Sequence, residues 1–411
     1  MKRRKMMLAI MALLPMLLLL TGCWSQREID DLSLVAGIAL DKAHETKVET
    51  ALNKNGATRK KENLISITYQ IFTSSSGGGQ GKGGGGSSEK KRYENFTETG
   101  DLLLESTREI SLRTDRPIFA QHFKTLVIGD ELLRTTPFWN FMDLMYRESE
   151  FRPSALVFVS RGLGRETFEL KGTKEIPAFR ILKMVDNQYK STRILPSVTL
   201  AKLLTYLQSK SSFLLQAIIK GGGEIKFAGA GIIHGQSGKL VGFLDEDELS
   251  SVTLITGKVR GGVVKYTDEE TGQKNLYEIL SYKSDIVPRV EGDNISFEVR
   301  IESRGRLSES WVMNEKSFND RFLKRQGQYV AKQVERDIRQ TLQKMQKQYK
   351  ADVFGFSKEL RIHEPKTWDK VKSQWDQKFS QAEVRLHVKT IVTEYGASGS
   401  KVIEHRNPPG P

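Results

Sequence analysis

In Leu32-Ser33-Leu34-Val35-Ala36-Gly37-Ile38-Ala39-Leu40, the residues Leu32, Leu34, Ala36, Ile38 and Leu40 occupy alternate positions. That period is the signature of a half-buried strand. Residues 64–72 repeat it with Ile65, Ile67, Tyr69 and Ile71. The segment between them is polar, rich in Lys, Asn and Gly, and reads as a hairpin-like connection. Parallel neighbours need a crossover of a dozen or more residues, usually a helix, whereas antiparallel neighbours do not. With no crossover helix between the first two strands, an α+β fold is expected rather than a doubly wound one.

Working downstream, residues 92–96 extend the strand set. Residues 101–112 follow as a helix, and 123–128 as a strand. A helix opened by Gly129-Asp130 is expected to break at Pro137, which cannot supply an interior N–H. Residues 155–159 form another strand, and 162–170, 176–189 and 197–207 carry helical patterns. Gly221-Gly222-Gly223 marks a break. After it come strands over 227–234 and 239–244, a helix starting at Asp245, and a strand over 263–266. Residues 275–290 and 294–303 make an antiparallel hairpin across Glu291-Gly292-Asp293. A long helix over 316–350 follows, its stripe formed by Leu323, Val330, Val334, Ile338, Leu342, Met345 and Tyr349. A shorter helix over 367–379 and a strand with Val384, Leu386 and Val388 facing inward complete the pattern. Three mixed α/β domains with mostly antiparallel sheets are expected. Their spans are 23–195, 196–266 and 267–395, with a polar, disordered tail over 396–411. The low-complexity Gly/Ser stretch 74–88 is expected as a flexible loop within the first domain.

Working upstream, Lys2-Arg3-Arg4-Lys5 precedes an apolar run over 6–20 and then Leu20-Thr21-Gly22-Cys23. The run is short of the roughly 20 residues that span a bilayer as a helix. A cationic start, a short apolar core and small residues before a processing point make a signal peptide over 1–22. The ending resembles the lipobox of bacterial lipoproteins, which implies diacylglyceryl attachment at Cys23 and cleavage just before it. Cys23 is the one cysteine of the chain, so no disulfide and no Cys-based metal site is expected. The full chain has 411 residues and a formal charge of +14. Removal of the four leader cations leaves a basic chain of about +10. Outside the cytoplasm, such a charge suits anionic lipid headgroups better than nucleic acid.

Catalytic and ligand motifs are sparse. No two of the six histidines sit at metal-ligand spacing with a carboxylate. His122, just before a strand, and His234, at a strand end beside a glycine turn, are the candidates for a polar pocket. Gly81-Lys82-Gly83 lacks the Ser or Thr of a phosphate-binding loop. Asp245-Glu246-Asp247-Glu248 lacks the ligand alternation of a calcium loop and suits a helix N-terminus. No catalytic residue, no cofactor and no metal site is expected, and a binding or assembly role is favoured over an enzyme.

Cys23-Trp24-Ser25-Gln26-Arg27-Glu28-Ile29-Asp30-Asp31-Leu32, running into Val35-Ala36-Gly37-Ile38-Ala39-Leu40-Asp41, resembles the start of the mature C subunit of spore nutrient-germinant receptors, the Ger(x)C lipoproteins. The Gly-rich loop, Leu112-Arg113-Thr114-Asp115-Arg116, residues 123–131, Gly229-Ala230-Gly231 and Arg304-Gly305-Arg306-Leu307-Ser308-Glu309 agree in order. Ser25 and Ile29 depart from the usual acidic residue and Leu. The resemblance implies a non-enzymatic subunit anchored through Cys23 to the outer face of the inner spore membrane. Its partners would be an A subunit and a permease-like B subunit, in a complex that responds to a small-molecule germinant. The alternative is an extracytoplasmic solute-binding lipoprotein that captures a nutrient directly. That would call for two similar lobes, and the sequence shows no repeat.

Overall fold

The computed structural model describes residues 31–57, 61–62, 64–73, 91–147, 151–172, 175–310 and 320–394. The expected leader 1–22, Cys23, the Gly/Ser loop 74–88 and the tail 396–411 lie outside the described residues. Two sheets organise the remainder. The first joins β1 (Ser33–Lys42), β2 (Ile65–Phe72), β3 (Tyr93–Gly100), β4 (Ile118–Phe119), β5 (Thr125–Gly129), β6 (Leu156–Ser160), β7 (Phe213–Gly221), β8 (Glu224–His234) and β9 (Lys239–Leu244). Its order is β3-β2-β1-β5-β6-β7-β8-β9, with β4 beside β1. The second is β10 (Gly262–Thr267), β11 (Lys274–Glu291), β12 (Asn294–Ser310) and β13 (Glu383–Glu394), in that order. The fold is mixed α/β with mostly antiparallel pairing, as the sequence suggests.

β1 and β2 do pair antiparallel, Leu40 opposite Ile67. The expected hairpin-like connection also holds a helix, α1 (Lys47–Lys54), closed by a capping box between Thr46 and Glu49. β1 itself is not half-buried. β2 and β5 flank it, both of its faces are covered, and a bulge between Val35 and Gly37 switches the alternation. Val35, Ile38 and Leu40 pack on one side, and Ala36 and Ala39 on the other. The small residues matter there. A β-carbon on Gly37 would lie 2.6 Å from the Ala178 β-carbon, so a larger residue would push α5 (Pro177–Met184) off the sheet.

The centre of the first sheet is parallel, with β1, β5, β6 and β7 side by side. Parallel strands need both faces covered. One face carries α2 (Leu103–Ile110), α3 (Asp130–Thr135), α4 (Phe138–Arg147) and α6 (Leu200–Gln208). The other carries α5 and a 3-10 turn at Gly164–Phe168. Helix α3 ends and α4 begins around Pro137, where the break is expected.

The expected middle domain over 196–266 has no sheet of its own. β7, missed in the sequence pattern, joins β6 through Val159 opposite Ala217, and draws β8 and β9 into the first sheet. β10 instead edges the second sheet. The glycine break at 221–223 is the β7–β8 hairpin turn, where Gly222 and Gly223 hold φ of +63° and +95° that only glycine adopts readily. Helix α7 (Glu246–Ile255) then packs into a core that runs without interruption into the second sheet.

In that second half β11 and β12 form the expected hairpin, and Phe297, Val299 and Ile301 are buried. Helix α8 (Asp320–Gln343) lies along β13. Its Gly327 sits where a β-carbon would come within 2.6 Å of the Thr390 carbonyl. Val330, Val334, Ile338, Leu342 and Met345 are buried as the stripe implies, with Leu323 and Tyr349 partly so. The expected helix over 316–350 changes near its end into a π-helical turn, Lys344–Tyr349. The expected helix over 367–379 is two, α10 (Pro365–Val371) and α11 (Trp375–Gln381), with α9 (Phe356–His363) before them. A buried polar net fastens α8 to β10 and β11. Gln326 donates to Asp268 at 2.6 Å and accepts from Tyr266 at 2.7 Å and Asn275 at 3.1 Å.

Candidate functional site

After β1 the chain turns toward β2, and after β5 toward β6, on opposite sides. In open α/β sheets such a reversal opens a crevice beyond the strands' carboxyl ends. Here the chain fills it with its own loop. Asp41, next to last in β1, is fully buried, and its carboxylate accepts the Gly164 N–H at 2.6 Å and the Arg165 N–H at 3.0 Å. Asp130 takes the Gly162 N–H at 3.0 Å. Gly129 makes room, since a β-carbon there would stand 2.3 Å from Asp41 Oδ1. Burial pushes the Asp41 carboxyl up to about 6, against the pull of the two N–H groups and the Arg165 and His44 charges. On the rim, Lys42 and His44 bond Glu131 at 3.0 and 3.3 Å, and hold its carboxyl below the usual range. Arg165 donates to the His44 carbonyl at 2.6 Å. Asp41 was legible only as an acid ending an apolar strand.

A second concavity lies where the two sheets meet. Its walls are α6 with the turn after it, the end of α7, the β8–β9 turn, and residues 352–376. It has two lobes, of about 160 and 410 Å³, which share Ser211, Ser212, Asp352 and Ser357. Asp352 organises the far wall. Its Oδ1 accepts the N–H groups of Phe354, Gly355 and Phe356, and its Oδ2 those of Ser357 and the Trp375 indole. One carboxylate thus satisfies the free N–H groups at the start of α9 and pins α11 beside it. His234 Nε2 stands 3.3 Å from Asp376 Oδ2, which ties the end of β8 to α11.

Of the sequence candidates, His234 stands behind the cleft wall, in contact with the lining residue Asp376. His122 does not: its ring packs 5.8 Å from Phe119. Asp245 to Glu248 serve structure. Asp245 accepts the Asp247 and Glu248 N–H groups at 2.9 and 2.8 Å, and Glu248 closes the capping box. Lys344 pairs with Glu248 at 2.6 Å, and Arg193 with Asp247 at 2.7 Å. Among the described residues no group of three or more His, Cys, Asp or Glu side chains could hold a metal ion. Nor is any helix among them long and apolar enough to cross a membrane.

Fold and site together define a mixed α/β protein of two unlike sheet-centred halves, joined by a shared core with a cleft beside it. A family described as "Spore germination protein N-terminal domain" matches residues 25–220, and one described as "Spore germination B3/ GerAC like, C-terminal" matches 228–396. The chain belongs to this GerAC-like family of spore germination proteins. It is 40% identical over 397 residues to "Spore germination protein YndF" of Bacillus subtilis (strain 168), covering 96% of this chain and 98% of that one. It is 29% identical over 388 residues to "Spore germination protein B3" of the same organism, covering 93% and 96%. A crystal structure titled "Crystal Structure of the GerBC protein" superimposes with a TM-score of 0.58 at 26% identity, covering 82% of this chain and 96% of that one. The boundary between the two family segments falls at the β7–β8 hairpin, inside the first sheet.

Proposed function

We propose that this chain is the lipid-anchored, non-enzymatic C subunit of a spore nutrient-germinant receptor. The observation that carries the reading is the match of both family segments in order, from residue 25 to 396, directly behind Leu20-Thr21-Gly22-Cys23. A diacylglyceryl group on Cys23 would hold the chain at the outer face of the inner spore membrane. One acyl chain binds only marginally and two bind stably. Confinement to that surface raises the effective concentration for partners, an A subunit and a permease-like B subunit, with no new contact. The self-filled crevice at Asp41 and the structural use of Asp245 to Glu248 support a scaffold rather than an enzyme. The unlike halves, different in strand number and order, support it over nutrient capture between two similar lobes.

The experiment is Cys23→Ala in the sporulating organism, with membrane fractionation and co-purification of the receptor. The variant is expected in the soluble fraction or absent, with germinant-triggered germination strongly reduced. A variant that stays in the inner-membrane fraction and germinates normally would sink the tether.

A further inference from the structure

We propose that the cleft between the two sheets is a binding site for a phosphate-bearing anion. The proposal goes beyond the receptor-subunit reading and does not depend on it. Six cations line the cleft: Lys202 on α6, Lys210 in the turn after it, Lys258 beyond α7, Lys358 and Arg361 on α9, and Lys372 after α10. Lys358 has Glu359 at 3.1 Å, and Lys372 has Asp369 at 2.9 Å. Among the described residues no acidic side chain pairs with the other four. The two acids in the walls are committed elsewhere. Asp352 has both oxygens filled by five N–H donors, and Asp376 faces His234.

Uncompensated like charges brought together by a fold repel, and a bound anion relieves that repulsion. Lys258 lies in the field of Lys202 and Lys358. Desolvation first, and then those two charges, hold its ammonium below the ordinary lysine pKa. Desolvation does the same to Lys202. The lining suits the same ligand. The α6 lobe has an apolar floor of Val198, Phe213, Leu214, Val252 and Phe354, with the hydroxyls of Tyr206, Ser211 and Ser357 also in its wall. Hydroxyl, ammonium and guanidinium donors together satisfy phosphate oxygens, and charge-assisted bonds of this type are the strong ones. Of the four cations without an acidic partner, Lys202 and Lys258 line the α6 lobe and Lys210 and Arg361 the other, and each pair matches the charge of a phosphate better than that of a lone carboxylate.

Among the described residues two non-glycine residues have a left-handed backbone, Lys210 with φ of 50° and Lys350 with φ of 49°. Lys210 lines the cleft, and Lys350 leads into Asp352. Both close a helix end: the Lys210 and Ser211 N–H groups bond back to the Leu207 and Tyr206 carbonyls, and Lys350 caps the π-helical turn, so these caps aim the chain into the cleft walls.

The phosphate could belong to a free small molecule or to a lipid headgroup, and the test separates the two. The intact chain, purified in a neutral detergent, is titrated by calorimetry with inorganic pyrophosphate and separately with water-soluble dihexanoyl phosphatidylglycerol. Lys258→Ala and Arg361→Ala are compared with Lys265→Ala, an exposed lysine on β10 outside the cleft. The expected result is saturable binding to at least one ligand that weakens at least tenfold in each cleft variant and stays unchanged in Lys265→Ala. Binding should also fall steeply with added salt. A response to pyrophosphate alone identifies a free anion, and a response to the lipid alone identifies a headgroup. Circular dichroism and thermal melts confirm that each variant is folded before its binding is scored. No saturable binding to either ligand, or equal weakening in Lys265→Ala, overturns the proposal.

Discussion

Asp41→Asn isolates the buried carboxylate that holds the loop over residues 160–168. In the folded protein this carboxyl titrates at about 6, against 3.8 when solvated. At about 1.4 kcal/mol per pH unit, that gap corresponds to about 3 kcal/mol between the protonated and ionised forms. The folded pKa is raised, so the folded state binds more protons than the open one between pH 3.8 and about 6. The contribution is therefore fully present below 3.8 and is lost as pH rises through about 6. Loop opening should become roughly a hundredfold easier across that window. The Gly164 and Arg165 amides report it directly, since both donate to Asp41. Hydrogen exchange followed by mass spectrometry, corrected for intrinsic rates from pH 4 to 7.5, should show their protection falling as pH rises. In Asp41→Asn the dependence should vanish. At pH 4 protection should be lower than in the wild type, because the amide NH2 cannot accept the second N–H, a loss of about 1–3 kcal/mol; toward pH 7.5 the two proteins should converge, because the wild type alone carries the cost of a buried charge. Equal pH slopes in the two proteins would refute the assignment of the titration to Asp41.

Other perturbations test the packing. Gln326→Ala strips partners from Asp268, Tyr266 and Asn275 at once and should lower stability by about 2–4 kcal/mol, read as a drop in the urea midpoint. Gly242→Val places a side chain where a β-carbon already falls 2.4 Å from the Tyr349 ring, between β9 and the π-helical turn. Overpacking there should cost about 1–3 kcal/mol, and should increase proteolysis in the 344–355 segment before the first sheet is cut.

Much of the architecture is legible in the sequence because it is local. The β11–β12 hairpin follows from alternation across a two-residue turn, and the α8 stripe from its 3.6 period. The Asp245 capping box is written in four consecutive residues. What escapes is set by partners distant in the chain. β7 is an apolar run whose strand character depends on Val159, 58 residues earlier, so residues 196–266 read as a unit when they are shared between two sheets. The bulge in β1 reverses which side chains face which core, and no periodicity foretells it. α1 is short and mostly polar, and its cap outweighs its weak stripe. The Asp41 site and the cationic cleft escape for the same reason. Asp41 meets Gly164 across 123 residues, and the cleft lysines come from three separated stretches.

The pairing of β13 with β12 also sets an order of events during synthesis. Val299 meets Leu386 in parallel register, so the second sheet lacks its last strand until residues 383–394 have emerged where the chain folds. Until then one edge of β12 presents unpaired backbone groups, and α8 has no β13 to lie against. The first sheet has all its strands by residue 244 and can form while this happens. A nascent chain therefore passes through a stage with one half complete and the other carrying an open strand edge. A truncation that removes only residues 383–394 would make that stage permanent.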